Sequence, residues 1–315
     1  MINKAYIPQL ATFHQQITRI TAEVGRVIVG KEKEVQLVLT CLLARGHVLI
    51  EDVPGVGKTT LAHVLAQVLG LSFQRVQFTS DLLPADIIGV SIFEQDAAQF
   101  KFHQGPIFAQ MILADEVNRA TPKTQSALLE AMEEQQVTVE GQTRQLPTPF
   151  FVLATQNPLH QIGTFPLPES QLDRFMMRIT LGYPDHATER ALLTGENRRD
   201  LIHSLHAAVT VEEINALQEA VKAVHVSEAL LDYLQAILEY SRHSQHFRVG
   251  LSPRAGLSIL NSTKAWALVQ GRDYVLPDDI QAVLSSVVSH RLAAMMEHQD
   301  SKTLVKQLLE EVAIP

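Results

Sequence analysis

Lys58 and Thr59 follow a short apolar run and two glycines, Gly55 and Gly57, within the stretch 47–60. A strand, a loop of small residues and a helix opened by Lys-Thr is the arrangement that cradles phosphate. Small residues let backbone N–H groups turn toward an anion, and a helix N-terminus adds partial positive charge. Lys58 can then reach the outer phosphates and the Thr59 hydroxyl can ligate Mg²⁺, while Pro54, Val56 and Thr60 complete the loop. One position departs from the usual pattern. A glycine is expected five residues before Gly57, and Asp52 stands there.

Two further strand ends carry chemistry. The apolar run 111–114 ends at Asp115-Glu116, and the apolar run 150–154 leads to Thr155-Gln156-Asn157-Pro158. Alone, an Asp-Glu after a strand is a solvated turn and an Asn-Pro a turn initiator. Together, and behind a phosphate loop, they supply what phosphoryl transfer requires: charge neutralisation and a positioned water. Thr59 and Asp115 would hold Mg²⁺, Glu116 would orient or deprotonate the water, and Asn157 would bond that water or the terminal phosphate. Arg174, in 171–175, could stabilise transition-state charge on a neighbouring subunit's nucleotide, or simply pair with Asp173 or Glu169. Arg254, opening a later helix, could report nucleotide state, or be an ordinary surface arginine. Arg119 is a third and more ambiguous candidate. His203/His206 and His243/His246 sit at helical i, i+3 spacing, but without carboxylate or cysteine partners they read as surface histidines.

The elements that must position these residues follow from periodicity. Helices are expected over 7–24, from Lys31 (Val35, Val38, Leu39, Leu42, Leu43) and from Lys58 (Leu61, Val64, Leu65, Val68, Leu69), the last closed by Gly70. Strands are expected at 73–78 and 176–181 besides those above. Thr121-Pro122 reads as a helix start with Thr121 as N-cap. Two hairpins, near 86–104 and 137–146, interrupt the alternation. Beyond residue 185 strand signals stop, and Thr210-Val211-Glu212-Glu213 is a capping box. The expectation is an α/β core with a parallel sheet flanked by helices over 1–185, then an all-helical domain over 186–315.

Composition narrows the partners. The 315 residues are 46% hydrophobic and 19% charged with a net charge of −8, which argues against a broad nucleic-acid footprint. The single cysteine, Cys41, reads as a buried thiol of a reducing compartment. No 18-residue apolar run and no leader pattern is present, so a cytoplasmic protein without membrane insertion is expected.

The stretches 51–59, 113–120, 127–134, 154–158, 172–175 and 251–255 resemble the AAA+ ATPases, specifically the MoxR family, over roughly 27–291. The resemblance implies ATP/ADP and Mg²⁺ as ligands, with Lys58 and Thr59 as Walker A, and Asp115 and Glu116 as Walker B. It implies Asn157 as sensor 1, Arg174 as arginine finger, Arg254 as sensor 2, and Val29 and Gly30 flanking the adenine. The hairpins match the family's helix-2 insert and pre-sensor-1 hairpin. A homo-oligomeric ring, usually a hexamer, is implied, with chaperone-like work on client or adaptor proteins that often carry a von Willebrand factor A domain. Two other classes remain: a nucleic-acid motor, kept open by Lys101 and Arg144 in the hairpins, and a nucleotide-gated scaffold with little turnover.

Overall fold

The computed structural model describes residues 7, 9–95, 98–157, 163–194, 201–202, 204–295 and 301–314. Asp96 and Ala97, within the expected hairpin at 86–104, and Pro158 and His203 therefore lie outside the described residues.

Five parallel strands form the central sheet in the order β2-β5-β8-β1-β9. They are β1 (Val48–Glu51), β2 (Phe73–Gln77), β5 (Met111–Asp115), β8 (Phe151–Gln156) and β9 (Met177–Ile179). β5 and β8 are buried along their whole length, as continuous apolar strands of a doubly covered parallel sheet should be. Helices α1 (Leu10–Gly25), α2 (Glu32–Leu43) and α3 (Lys58–Val68) bury apolar side chains such as Ile20, Leu39 and Leu65 against one face. On the other face lie α4 (Pro84–Ile88) and α5 (Pro122–Glu134), with Ile87, Leu128 and Leu129 buried. Gly70 closes α3 as expected: it has φ +63°, and the amides of Gly70 and Leu71 reach back to the carbonyls of Gln67 and Ala66.

The two expected hairpins form. β3 (Gly89–Glu94) pairs with β4 (Gln99–Gln104), and β6 (Gln136–Val139) with β7 (Gln142–Gln145). Glu140 and Gly141 both take positive φ at the second turn, which closes a two-residue loop matched to strand twist. Thr121 does precede α5, but its hydroxyl meets that of Thr124 at 3.2 Å and makes no backbone cap.

The described residues of the second half are mainly helical. After α6 (Glu169–Leu172) and α7 (His186–Thr194) come α8 (Val211–Ala223), α9 (Glu228–His243), α10 (Pro253–Val269), α11 (Pro277–Val288) and α12 (Ser301–Glu311). The capping box at Thr210 is present in both directions. The expectation of an all-helical segment needs one amendment: β10 (Phe247–Val249) pairs with β11 (Ala293–Ala294) in a small ribbon. Both strands are too short to leave a period-2 pattern in the sequence. The helical segment shares one hydrophobic cluster with α1–α3, and the Gln218 amide donates to the Leu42 carbonyl at 2.8 Å inside it.

His47, just before β1, joins three elements. Its Nδ1 accepts the Val152 amide at 3.0 Å and its Nε2 meets the Met132 carbonyl at 3.2 Å, which assigns the proton to Nε2. It thereby ties the end of α5 to the start of the sheet. Burial lowers its pKa to about 4, so it stays neutral in the fold while the unfolded chain protonates near its usual value. Protons are then bound more by the unfolded state between those two values, and stability falls as pH drops through that window. Urea unfolding should show His47 alone removing on the order of 3 kcal/mol between about pH 7 and pH 4. A His47→Gln variant should show a shallower slope, and equal slopes would contradict the assignment.

Candidate functional site

The strand C-terminal ends face one edge of the sheet, and the loop after β1, the Asp115-Glu116 pair after β5 and Asn157 after β8 all lie along it. Gly55 and Gly57 have φ of +86° and +93°, and no heavy atom lies within 4 Å of where a Cβ would stand on either. The amides of Gly55, Val56 and Gly57 have no acceptor among the described residues. An open bowl of unpartnered N–H groups at the start of a helix is an anion cradle. The Thr59 hydroxyl is likewise without a partner among the described residues and is free to meet a hard cation. These residues fit a phosphate chain with Mg²⁺.

Lys58 is buried, and its Nζ donates to the carbonyls of Asp52 at 2.5 Å and Val53 at 3.2 Å, and to Asn157 Oδ1 at 3.2 Å. Burial lowers its pKa, against the opposing attraction of Asp52, Asp115 and Glu116. Asn157 bridges onward, its Nδ2 donating to Glu116 Oε1 at 3.0 Å. Lys58, Asn157 and Glu116 therefore form one chain of contacts across three strand ends. Glu116 itself holds φ +56°, ψ +50°, a left-handed conformation that costs energy for a residue with a Cβ and points to function. Its amide donates to Thr155 Oγ1 at 2.9 Å, and its Oε2 accepts Arg119 at 2.9 Å and Gln77 at 3.2 Å. Arg119, the ambiguous candidate, thus touches the site carboxylate of its own chain.

Asp115 accepts the Thr155 hydroxyl at 2.6 Å on Oδ1 and Arg75 at 2.7 Å on Oδ2. Thr155, Arg75 and Gln77 were not among the site candidates legible in the sequence. Thr155 could have been found from register, since Ala114 pairs with Ala154 and the next residues must be neighbours. Arg75 and Gln77 occupy alternate positions of β2, with Gln77 opposite Asp115. Neither lies in a recognisable motif, and only the sheet order brings them to the site.

Asp52 has a structural reason. Its Oδ1 accepts the Val53 amide at 2.8 Å, and its Oδ2 accepts the Gly182 amide at 2.6 Å. The carboxylate is buried and ties the phosphate loop to the segment after β9, which a glycine there would leave untethered. Beside this tie lies a cleft of about 470 Å³ lined by Val27, Val29, Gly55, Leu181, Tyr183 and others. Val29 is in the wall. Gly30 is not; it has φ +70° and packs so close to Thr188 that a Cβ would stand 2.8 Å from the Thr188 hydroxyl.

Arg174 and Arg254 are elsewhere. Met177, which opens β9, pairs with Val48, which opens β1, so Arg174 lies at the N-terminal edge of the sheet. Its partner is Glu133 at 3.0 Å rather than Asp173 or Glu169, and Arg254 meets the same carboxylate at 3.1 Å. A strand of this length separates the two edges by about 15 Å. His243 and His246 are exposed, as expected, and no cluster of metal-ligating side chains occurs among the described residues. Cys41 is buried, and burial pushes its thiol far up. No described helix is long and apolar enough to cross a membrane.

Comparison with known proteins gives concordant matches. Residues 47–177 match the model of the ATPase family associated with various cellular activities (AAA), and 239–312 match the AAA lid domain. The Bacillus subtilis protein YeaC is 42% identical over 96% of both chains. Chaperone MoxR1 of Mycobacterium tuberculosis is 39% identical over 97% of this chain and 84% of its own. A crystal structure from Cytophaga hutchinsonii superposes with a TM-score of 0.88 at 36% identity, covering 98% of this chain and 97% of that one.

The Asp52 tie can be tested directly. Asp52→Gly restores the expected glycine and keeps the loop amides, but removes the acceptor of the Gly182 amide. Hydrogen exchange in the peptide spanning 181–188 should speed up, and stability should fall by about 1–3 kcal/mol. Unchanged exchange in that peptide would contradict the tie.

Proposed function

The chain belongs to the MoxR family of AAA+ ATPases, and from that premise we propose that it hydrolyses ATP at sites shared between identical subunits of a ring. The cycle would drive chaperone-like remodelling or maturation of partner proteins. The observation that carries the reading is the chain Lys58–Asn157–Glu116 along one sheet edge, beside a loop of unpartnered amides. Residues 1–185 would be the nucleotide-binding core and 186–315 the lid.

In this reading the amides of Gly55–Gly57 and Lys58 hold the phosphates, and Val29 lies against the base in the cleft. Bound Mg²⁺ would supply charge neutralisation on the transferred phosphoryl oxygens. Thr59 and Asp115 would hold it, with Arg75 sharing the Asp115 carboxylate. Glu116 orients and takes a proton from the attacking water once Gln77 and Arg119 yield its second oxygen. Asn157 fixes the other oxygen and Lys58 together, so water, base and terminal phosphate keep one geometry.

Arg174 and Arg254 lie at the opposite edge, too far to reach their own phosphates, which supports action on a neighbour's nucleotide. A head-to-tail contact that repeats this relation with a closing rotation gives a ring, for which a hexamer is the proposed size. A protein client is favoured over nucleic acid by the first hairpin. It exposes Val90, Ile92, Phe93 and Phe100, while Lys101 is paired with Glu94 and Arg144 lies over the Phe102 ring. That surface is apolar, with its cations already engaged. The client or adaptor, including one with a von Willebrand factor A domain, would engage there.

Glu116→Gln should keep ATP binding and abolish turnover, measured by equilibrium binding and phosphate release. Wild-type turnover in this variant would remove the mechanism. Mixing Arg174→Ala subunits, whose own turnover should be strongly reduced, into wild type should depress activity non-linearly, and a strictly proportional loss would argue for action within one chain.

A further inference from the structure

Two arginines chosen for reaching a neighbouring nucleotide come from positions eighty residues apart in sequence, yet meet on one carboxylate. Glu133 occupies the last turn of α5. Arg174 Nε lies 3.0 Å from its Oε2, and Arg254 Nη2 lies 3.1 Å from its Oε1. Each oxygen thus serves one guanidinium. We propose that Glu133 is a positioning residue that sets Arg174 and Arg254 side by side as a single anion clamp for the neighbouring copy's nucleotide. The inference rests on the reading that both arginines act across the subunit boundary.

The surroundings favour positioning over a plain surface ion pair. Two guanidiniums repel one another, and a shared carboxylate between them is what lets them stand together. Arg174 has no partner besides Glu133 among the described residues, and Arg254 has only Asp173 in addition, at 3.8 Å. A guanidinium carries five N–H donors, so most remain unused by these pairs and available to phosphate oxygens. Three guanidiniums, those of Arg174, Arg254 and Arg291, face the two carboxylates Glu133 and Asp173, so the cluster keeps an excess of positive charge.

The platform beneath is rigid. Glu133 follows Met132, whose carbonyl accepts from buried His47 at 3.2 Å. Asp173 is held by nearly buried Arg291 at 2.6 Å, and Arg291 also donates to the carbonyls of Phe175 and Met176. Arg254 enters from the helical segment, at the start of α10. Glu133 is therefore the point where core and helical segment present their arginines together. About a third of its side chain is exposed, so an isosteric neutral replacement should leave the fold intact.

The test is a double-mutant cycle on the full-length protein at saturating Mg·ATP. Glutamine has one acceptor oxygen and an NH₂ group that repels the second guanidinium, so Glu133→Gln should lower turnover roughly tenfold or more. Arginines of this role carry on the order of 10³ or greater, which leaves room for such a loss. The KM for ATP should stay within about twofold, since the clamp acts on the transferred phosphoryl group. In an Arg174→Ala/Arg254→Ala background, Glu133→Gln should add less than about a twofold effect, because its partners are gone. Wild-type turnover in Glu133→Gln, or the same loss in both backgrounds, would overturn the proposal. If instead Arg174→Ala itself keeps wild-type turnover, the cross-subunit reading fails, an outcome distinct from loss in Arg174→Ala with none in Glu133→Gln.

Discussion

Two acidic side chains stand next to each other at the end of β5, and the site depends on how their charge is divided. Asp115 is held by Arg75 and the Thr155 hydroxyl, while Glu116 is held by Arg119, Gln77 and Asn157. Adjacent residues at a strand end normally point to opposite faces. The left-handed backbone at Glu116, secured by its amide on Thr155, turns the second carboxylate toward Asn157 and Lys58 instead. One threonine hydroxyl thus serves both acids, donating to the first and accepting from the amide of the second. That arrangement is what lets the metal-holding and water-activating roles proposed for the two acids sit at one phosphate.

The same sheet that gathers these groups at one edge sends the arginines to the other. A parallel strand order places every strand C-terminus together and every N-terminus about 15 Å away. Arg174, three residues before β9, and Glu133, at the end of the helix returning from β5, are carried to the N-terminal edge by connectivity alone. On the proposed reading, a second copy completes the chemistry. The helical segment contributes its own arginine there and remains in one hydrophobic cluster with α1–α3, so the two halves can act together. Asp52 strengthens that continuity at the opposite edge, joining the phosphate loop to the chain after β9.

Much of this is legible in the sequence. Short apolar runs ending at Asp115-Glu116 and before Asn157 read as buried strands once they alternate with helices, and a parallel sheet then puts their ends beside Lys58. The hairpin at 137–146 was readable because its residues alternate around a Gly-containing turn. Asp52 looked like a defect because its partner, Gly182, is far away in sequence and is recognised through its backbone amide, which leaves no side-chain signature. Glu133 was hidden for a related reason. It is one of several acids at a helix end, and its importance comes from Arg174 and Arg254 arriving from separate elements. The ribbon of β10 and β11 escaped notice because two- and three-residue strands carry no periodicity.

The central claim is that no single chain holds a complete hydrolytic site. The most direct measurement is ATP turnover per subunit as a function of protein concentration, with sedimentation velocity on the same samples. Turnover per subunit should fall steeply as assemblies dissociate, tracking the fraction of chains with a neighbour. Turnover that stays constant down to concentrations where only single chains sediment would contradict the account.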